Sequence, residues 1–243
     1  MPHDRFFSDD SLNPSTSLLL EAEEAHHLSR VMRAQEGDHV TVINGRGQLA
    51  EATVTKLHRK QAELLIGKVQ TTPKTLHPIT LLQALPRPNR LEMIIEKSTE
   101  LGVDRIHLFR GKRSETNTLS DNRLKRLRQI AIAATKQCGR LYLPEIRWLD
   151  PIQAWTPFQT TTFFGDIQED APAFEKVWEM HHPATGVQFA IGPEGGFHKD
   201  EEASLRQLGA RGVRLHPLIL RTDTAPIVAL SLIQHWMMQR QSG

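Results

Sequence analysis

Three glycines and a proline interrupt an apolar run at Phe189-Ala190-Ile191-Gly192-Pro193-Glu194-Gly195-Gly196-Phe197. The run reads as a buried strand that feeds, through a loop, a helix whose first turn holds Asp200, Glu201 and Glu202. Glycine lets backbone N–H groups approach a bound molecule with no Cβ in the way. Open α/β sheets bind ligands at the carboxyl ends of their strands, where this loop falls. The loop is not the G-x-G-x-x-G fingerprint of a dinucleotide site, and it lacks the lysine of a P-loop. A purely structural strand-to-helix turn is the alternative reading.

A second cluster lies at Leu215-His216-Pro217-Leu218-Ile219-Leu220-Arg221-Thr222-Asp223-Thr224-Ala225-Pro226. Here a strand ends, an irregular apolar stretch follows, and a helix begins with Pro226 in its first turn. Thr222 or Asp223 is the candidate cap for the free N–H groups of that helix. An arginine beside a helix N-terminus is unfavourable unless a negative group sits there too. Arg221 therefore predicts a bound anion, or an ion pair with Asp223 or Glu194. Other chemistries find little support. The adjacent pairs His26-His27 and His181-His182 lack the i, i+4 spacing of metal ligands, and there is no H-E-x-x-H. There is also no G-x-S-x-G, and Cys138 has no histidine near it in sequence.

The elements that must position these clusters change texture along the chain. EAEEAHHLSRVMRA, residues 21–34, reads as a short helix with Ala25, Leu28, Val31 and Met32 on one face. Short strands are expected at His39 to Ile43, Ala50 to Leu57 and Ala62 to Ile66, with a turn at Asn44-Gly45-Arg46-Gly47. Close spacing of this kind predicts a small barrel, and Thr71 to Lys74 a linker. From residue 78 strands and helices alternate. Strands are expected at 79–84, 104–109, 161–164, 187–191 and 212–215. Helices are expected at 89–101, from Ser120 or Asp121 to 137, at 199–208 and at 224–240. That order implies an α/β domain with a mostly parallel sheet. The last helix is apolar almost all round, so either its own domain or a second subunit must cover it.

The 243 residues hold 30 Lys and Arg against 28 Asp and Glu, which excludes a histone-like tail. One cysteine excludes an internal disulfide framework and fits a reducing cytosol. The start has no apolar segment of a secretory signal, and no apolar run reaches the length of a membrane span. The near-neutral total hides a pattern. Residues 1–72 carry −2, residues 73–150 carry +7 and residues 151–243 carry −3. A middle third of that charge suits a polyanion, although part of it must be ordinary helix surface.

These blocks together resemble the RsmE family of 16S ribosomal RNA (uracil-N3)-methyltransferases. GPEGGF at 192–197 and LILRTDTA at 218–225 carry the resemblance most strongly. HHLSRVMRAQEGD at 26–38, RLEMIIEKSTELGV at 90–103 and QCGR at 137–140 extend it over nearly the whole chain. The resemblance implies residues 1–72 as a PUA-like RNA-binding β-barrel and residues 73–243 as a SPOUT-type domain with a C-terminal trefoil knot. It further implies a cytoplasmic homodimer that uses S-adenosyl-L-methionine (SAM) to methylate a uridine of 16S rRNA in the small ribosomal subunit, with no metal and no membrane. A non-catalytic RNA-binding assembly factor, or a SPOUT enzyme for another RNA position, is the alternative.

Carried over residue by residue, the SAM loops are Phe164 and Gly165; Ile191, Gly192, Pro193, Glu194, Gly195 and Gly196; and Leu215, His216, Leu218, Ile219, Leu220, Thr222, Thr224 and Ala225. Arg221, Asp223 and Glu194 are the expected catalytic group. Arg30, Arg33, Arg87, Arg90, Lys97, Arg113, Lys136 and Arg140 are the expected RNA contacts. The chain departs from the family pattern at Lys136, His216, Leu218, Asp223 and His198, the last predicting a weaker cap for helix 199–208.

Overall fold

The fold was obtained as a computed structural model, which describes residues 5–58, 60–115, 118–181 and 185–241. His182 of the second histidine pair lies outside the described residues. The chain forms two compact units, Met1–Lys74 with Ile132–Leu143, and Thr75–Ala131 with Pro144–Gly243.

The first unit is a mixed sheet of β1 (Arg5–Phe7), β2 (Ser17–Glu21), β3 (His39–Ile43), β4 (Gln48–Leu57) and β5 (Gln61–Thr71), in the order β1-β3-β4-β5-β2. Only the β1–β3 pairing is parallel. Ala50, Ala52 and Val54 of β4 alternate inward against Leu64 and Ile66 of β5, the period-two pattern of a half-buried sheet. The Asn44 side chain shapes the β3–β4 turn, its carbonyl accepting from the Arg46 and Gln48 N–H groups at 2.9 and 3.2 Å. The expected single helix face over residues 21–34 does not form. After α1 (Ala22–His26) the backbone takes a π turn over His27–Val31, and the Met32 N–H reaches back five residues to the His27 carbonyl. The wider turn rotates Val31 out, to 64% exposure, while Leu28 stays fully buried.

Residues 132–143 complete this unit. Ile132, Leu141 and Leu143 pack with Phe7, Ile43 and Leu49. Leu143 N–H donates to the Gly45 carbonyl and Gly47 N–H to the Leu141 carbonyl, each at 2.9 Å. The Tyr142 hydroxyl donates to the Thr72 carbonyl at 2.8 Å.

The second unit is a six-stranded sheet of β6 (Ile79–Ala84), β7 (Arg105–Phe109), β8 (Glu145–Leu149), β9 (Thr161–Gly165), β10 (Val187–Ile191) and β11 (Arg211–Val213). Its order is β11-β9-β10-β6-β7-β8 and every pairing is parallel. Helices α2 (Pro88–Glu100), α3 (Asp121–Cys138), α4 (Phe174–Met180), α5 (Lys199–Gln207) and α6 (Thr224–Gln241) connect or follow the strands. Strand β8 and helix α4 have no counterpart in the sequence expectations; both are short. The chain lays β6, β7 and β8 outward in one direction, then returns to the other side with β9, β10 and β11. The direction reverses between β6 and β10, the place where open α/β sheets form a ligand crevice. Phe163, Phe174, Trp178, Phe189 and Trp236 pack with neighbouring ring centroids 5.0–6.5 Å apart, which holds α6 on the sheet.

Candidate active site

A cavity of about 660 Å³ opens at the carboxyl ends of β9, β10 and β11. Three loops wall it: residues 165–168, residues 191–197 and residues 213–222, with Ala225 of α6 beside them. Arg87, Arg90 and Arg113 border it, as do Lys199 and Glu202 of α5. The expected positions Gly165, Ile191, Gly192, Pro193, Glu194, Gly195 and Gly196 are all on the wall. So are Leu215, His216, Leu218, Ile219, Leu220, Arg221, Thr222 and Ala225.

Two expected positions are not. Phe164 is fully buried, its ring between Phe197 at 6.0 Å and the Arg206 guanidinium at 5.0 Å. Alternation along β9 sends its side chain into the core and leaves Gly165 to face the cavity. Thr224 is exposed on the first turn of α6. Sequence reasoning missed Ile167, Gln168, Val213, Arg214 and Glu202. The first four continue the same strand-end loops, which was the available signal. Glu202 comes from the helix behind, and burial with Asp166 nearby pushes its carboxyl above the ordinary range.

Hydrogen bonds tie the walls to one another. The Thr222 hydroxyl donates to the Gly192 carbonyl at 2.8 Å and accepts from the fully buried Gln83 amide of β6 at 3.3 Å. Thr222 thus joins two loops and is not the cap expected of it. The first free N–H groups of α6, those of Thr224 and Ala225, go instead to the Arg221 carbonyl at 3.0 and 2.9 Å. Gly196 adopts φ +68°, a left-handed conformation that favours glycine, and its N–H closes a turn onto the Pro193 carbonyl at 2.8 Å. A Cβ on Gly192 would lie 3.0 Å from the Phe197 nitrogen and 3.1 Å from the Gly196 carbonyl carbon, so this chain crossing admits only glycine without a shift.

The cap of α5 is stronger than expected. His198 Nδ1 accepts from the Asp200 N–H at 3.3 Å while Glu201 accepts from the His198 N–H at 2.8 Å, a full capping box. A histidine ring nitrogen does here what a small hydroxyl residue does elsewhere.

The charges pair differently from expectation. Arg90 takes both acids, with Nε 3.7 Å from Glu194 and Nη1 3.8 Å from Asp223. Glu194 also accepts from the Arg87 N–H at 2.9 Å. Among the described residues Arg221 has no carboxylate partner, and its side chain is exposed on the cavity wall. Asp223 does not line the cavity, and its Oδ1 is buried without a hydrogen-bond partner. The other expected RNA contacts are partly engaged. Arg87 pairs with Glu115 at 2.7 Å, and Lys97 with Glu96 and Glu100, both at 2.8 Å. Lys136 pairs with Glu24 at 2.7 Å inside the first unit, and Arg113 donates to the Gly195 carbonyl at 2.6 Å. Arg30 and Arg33 are exposed.

Among the described residues no group of His, Cys, Asp and Glu is placed to hold a metal ion, and no helix is long and apolar enough to cross a membrane.

Residues 72–234 match the model of the RNA methyltransferase domain, and residues 20–67 that of the RNA methyltransferase PUA domain. Ribosomal RNA small subunit methyltransferase E of Synechocystis is 30% identical over 227 residues, covering 89% of this chain and 72% of the relative. The protein of the same name from Bacillus subtilis is 28% identical over 225 residues, 88% of each chain. Among solved structures, ribosomal RNA small subunit methyltransferase E of Neisseria gonorrhoeae bound to SAM superposes with a TM-score of 0.86 at 29% identity, covering 96% of this chain and 97% of that one. A Legionella pneumophila protein solved with SAM bound gives 0.84 at 27% identity, with the same coverage. Matched by the domain model over more than half its length and aligned with these relatives over 88% or more of its residues, the chain belongs to the RNA methyltransferase family.

Proposed function

We propose that this protein transfers a methyl group from SAM to N3 of a uridine in 16S rRNA of the small ribosomal subunit, as a cytoplasmic enzyme. The observation that carries this reading is the cavity at the ends of β9, β10 and β11, in a fold whose solved relatives hold SAM. Its size lies in the range of small-molecule sites. Leu215, Pro217, Leu218, Ile219 and Leu220 offer apolar surface for a nucleoside, and the glycine loop exposes backbone to it. Within the described residues this donor set fits SAM through backbone and apolar contact. Residues 1–72 then serve as the PUA-like RNA-binding domain and residues 73–243 as the SPOUT catalytic domain with its knot. Two copies pair through α6, which carries no Asp, Glu, Lys or Arg from Thr224 to Gln239 and leaves Met238 58% exposed.

SAM, when bound, supplies a methyl group on a sulfonium whose leaving group is a neutral thioether. Uracil N3 lies on the Watson–Crick edge, so the target must be unpaired or flipped to enter the cavity. Its N3–H proton leaves as the methyl arrives, and negative charge develops on O2 and O4. Arg221, a cation on the wall with no carboxylate partner among the described residues, stabilises that charge. Glu194, the catalytic-group acid that lies on the wall, accepts the proton. Asp223, off the wall, faces Arg90. The test is mass spectrometry of small-subunit rRNA from a deletion strain, before and after incubation with the purified protein and SAM. Appearance of one N3-methyluridine is the expected result; rRNA left unmodified overturns the reading.

A further inference from the structure

We propose that Arg90 is a positioning residue whose task is to keep Arg221 available to the substrate, a role that rests on the methyl-transfer reading above. Arg90 is the third residue of α2, where a cation opposes the helix dipole. Helix stability alone gives no reason for it there. Its guanidinium stands between Glu194, from the loop after β10, and Asp223, from the turn before α6. All three side chains are largely buried, at 22, 22 and 16% exposure, so their attraction is screened less than that of a surface pair.

Two other cations at the cavity already have partners: Arg87 holds Glu115, and Arg113 holds the Gly195 carbonyl. Arg221 shares the cavity wall with Glu194 and lies two residues before Asp223. Without Arg90 the two acids lose their cation, and Arg221, with no carboxylate partner among the described residues, can take its place. A guanidinium captured by Asp223 is neutralised before uracil arrives, and turnover falls although SAM and RNA still bind.

The experiment is methyl transfer to small-subunit RNA at saturating SAM and RNA, with SAM affinity measured by calorimetry in the absence of RNA. Arg90→Ala is expected to lower kcat about 100-fold, the size of losing one oxyanion donor. SAM affinity and RNA KM should each stay within roughly threefold of wild type, since the Arg90 guanidinium at the cavity border is engaged by two acids of the protein itself. Removing the competing acid should then restore function: Arg90→Ala/Asp223→Asn is expected about tenfold faster than Arg90→Ala alone, a non-additive coupling. Arg90→Lys, which keeps the charge, should retain most turnover. Arg90→Gln carries the same expectation as Arg90→Ala if the latter folds poorly. An inactive wild type overturns the functional reading itself. An active wild type whose double variant is no faster than Arg90→Ala overturns only the role of Arg90. So does an Arg90→Ala enzyme with normal kcat and a steeply salt-dependent rise in RNA KM, the mark of a phosphate contact.

Discussion

The hydroxyl of Thr222 donates to the carbonyl of Gly192 at 2.8 Å, joining the turn before α6 to the loop after β10. The two sequence clusters that could do chemistry, 30 residues apart, are one object through this bond. Gln83, on the far side of the switch point, completes the relay by donating to the same hydroxyl.

Thr222→Val keeps the shape and deletes the hydroxyl. The partly buried Gly192 carbonyl then loses its donor, at a cost of about 1 kcal/mol. Thermal unfolding should show that loss, calorimetry should show SAM binding weakened by roughly tenfold, and Thr222→Ser should recover both. Equal behaviour of the Val and Ser variants would count against the relay.

Gly192→Ala adds a methyl group against the Phe197 nitrogen and the Gly196 carbonyl carbon. Both are backbone, so the loop itself must move, with an overpacking cost of about 1–3 kcal/mol. The protein should remain folded by circular dichroism while SAM affinity falls strongly. Undiminished SAM binding would show that this crossing does not shape the cofactor site.

Burial lowers the pKa of His107 below its ordinary 6.5, and burial together with Lys136 lowers that of His27. The unfolded chain therefore binds more protons than the native one as pH drops below about 6.5, and stability is lost there. Well above 6.5 both rings are neutral in either state and the contribution is fully present. The unfolding midpoint should fall from pH 7 to pH 5, and His107→Asn should flatten that slope.

A fragment of residues 1–74 lacks Ile132, Leu141 and Leu143, which pack with Phe7 and Ile43. It should show poor chemical-shift dispersion by NMR. Adding residues 132–143 in the same chain through a short linker should improve it. In the full protein Tyr142→Phe removes one hydrogen bond to the Thr72 carbonyl and should cost about 1 kcal/mol.

Arg33 is exposed in the first unit, whereas Lys97 is held by Glu96 and Glu100, whose hydrogen bonds raise its pKa. Arg33→Glu should weaken RNA binding and lower the salt slope by about 1. Lys97→Glu should change it less. A larger effect at Lys97 would place the polyanion on α2.

Much of the architecture is legible in the residues. The β-branched run at 39–43, the fully buried run at 79–84, the apolar face of α2 and the glycine at 102 with φ +80° each state a local preference that packing then reinforces. Two elements of the second unit escaped: β8 is an edge strand with no buried residue and so no apolar run, and α4 holds seven residues, too few for a helical period to show. The π turn at His27–Val31 escaped too, because a 3.6-residue pattern cannot announce a wider turn.

The amino-acid sequence by itself determined the family, the two textures of the chain, and the glycine and LRT loops as one site's material, because backbone freedom and apolar periodicity are local properties. Tertiary structure alone decided the partners. Arg90 rather than Arg221 meets Glu194 and Asp223, and Thr222 bonds a loop rather than capping a helix. Residues 132–143 close the first unit from a distance. Charge pairing and chain crossing depend on which strand ends the parallel sheet brings side by side, and no spacing along the chain encodes that.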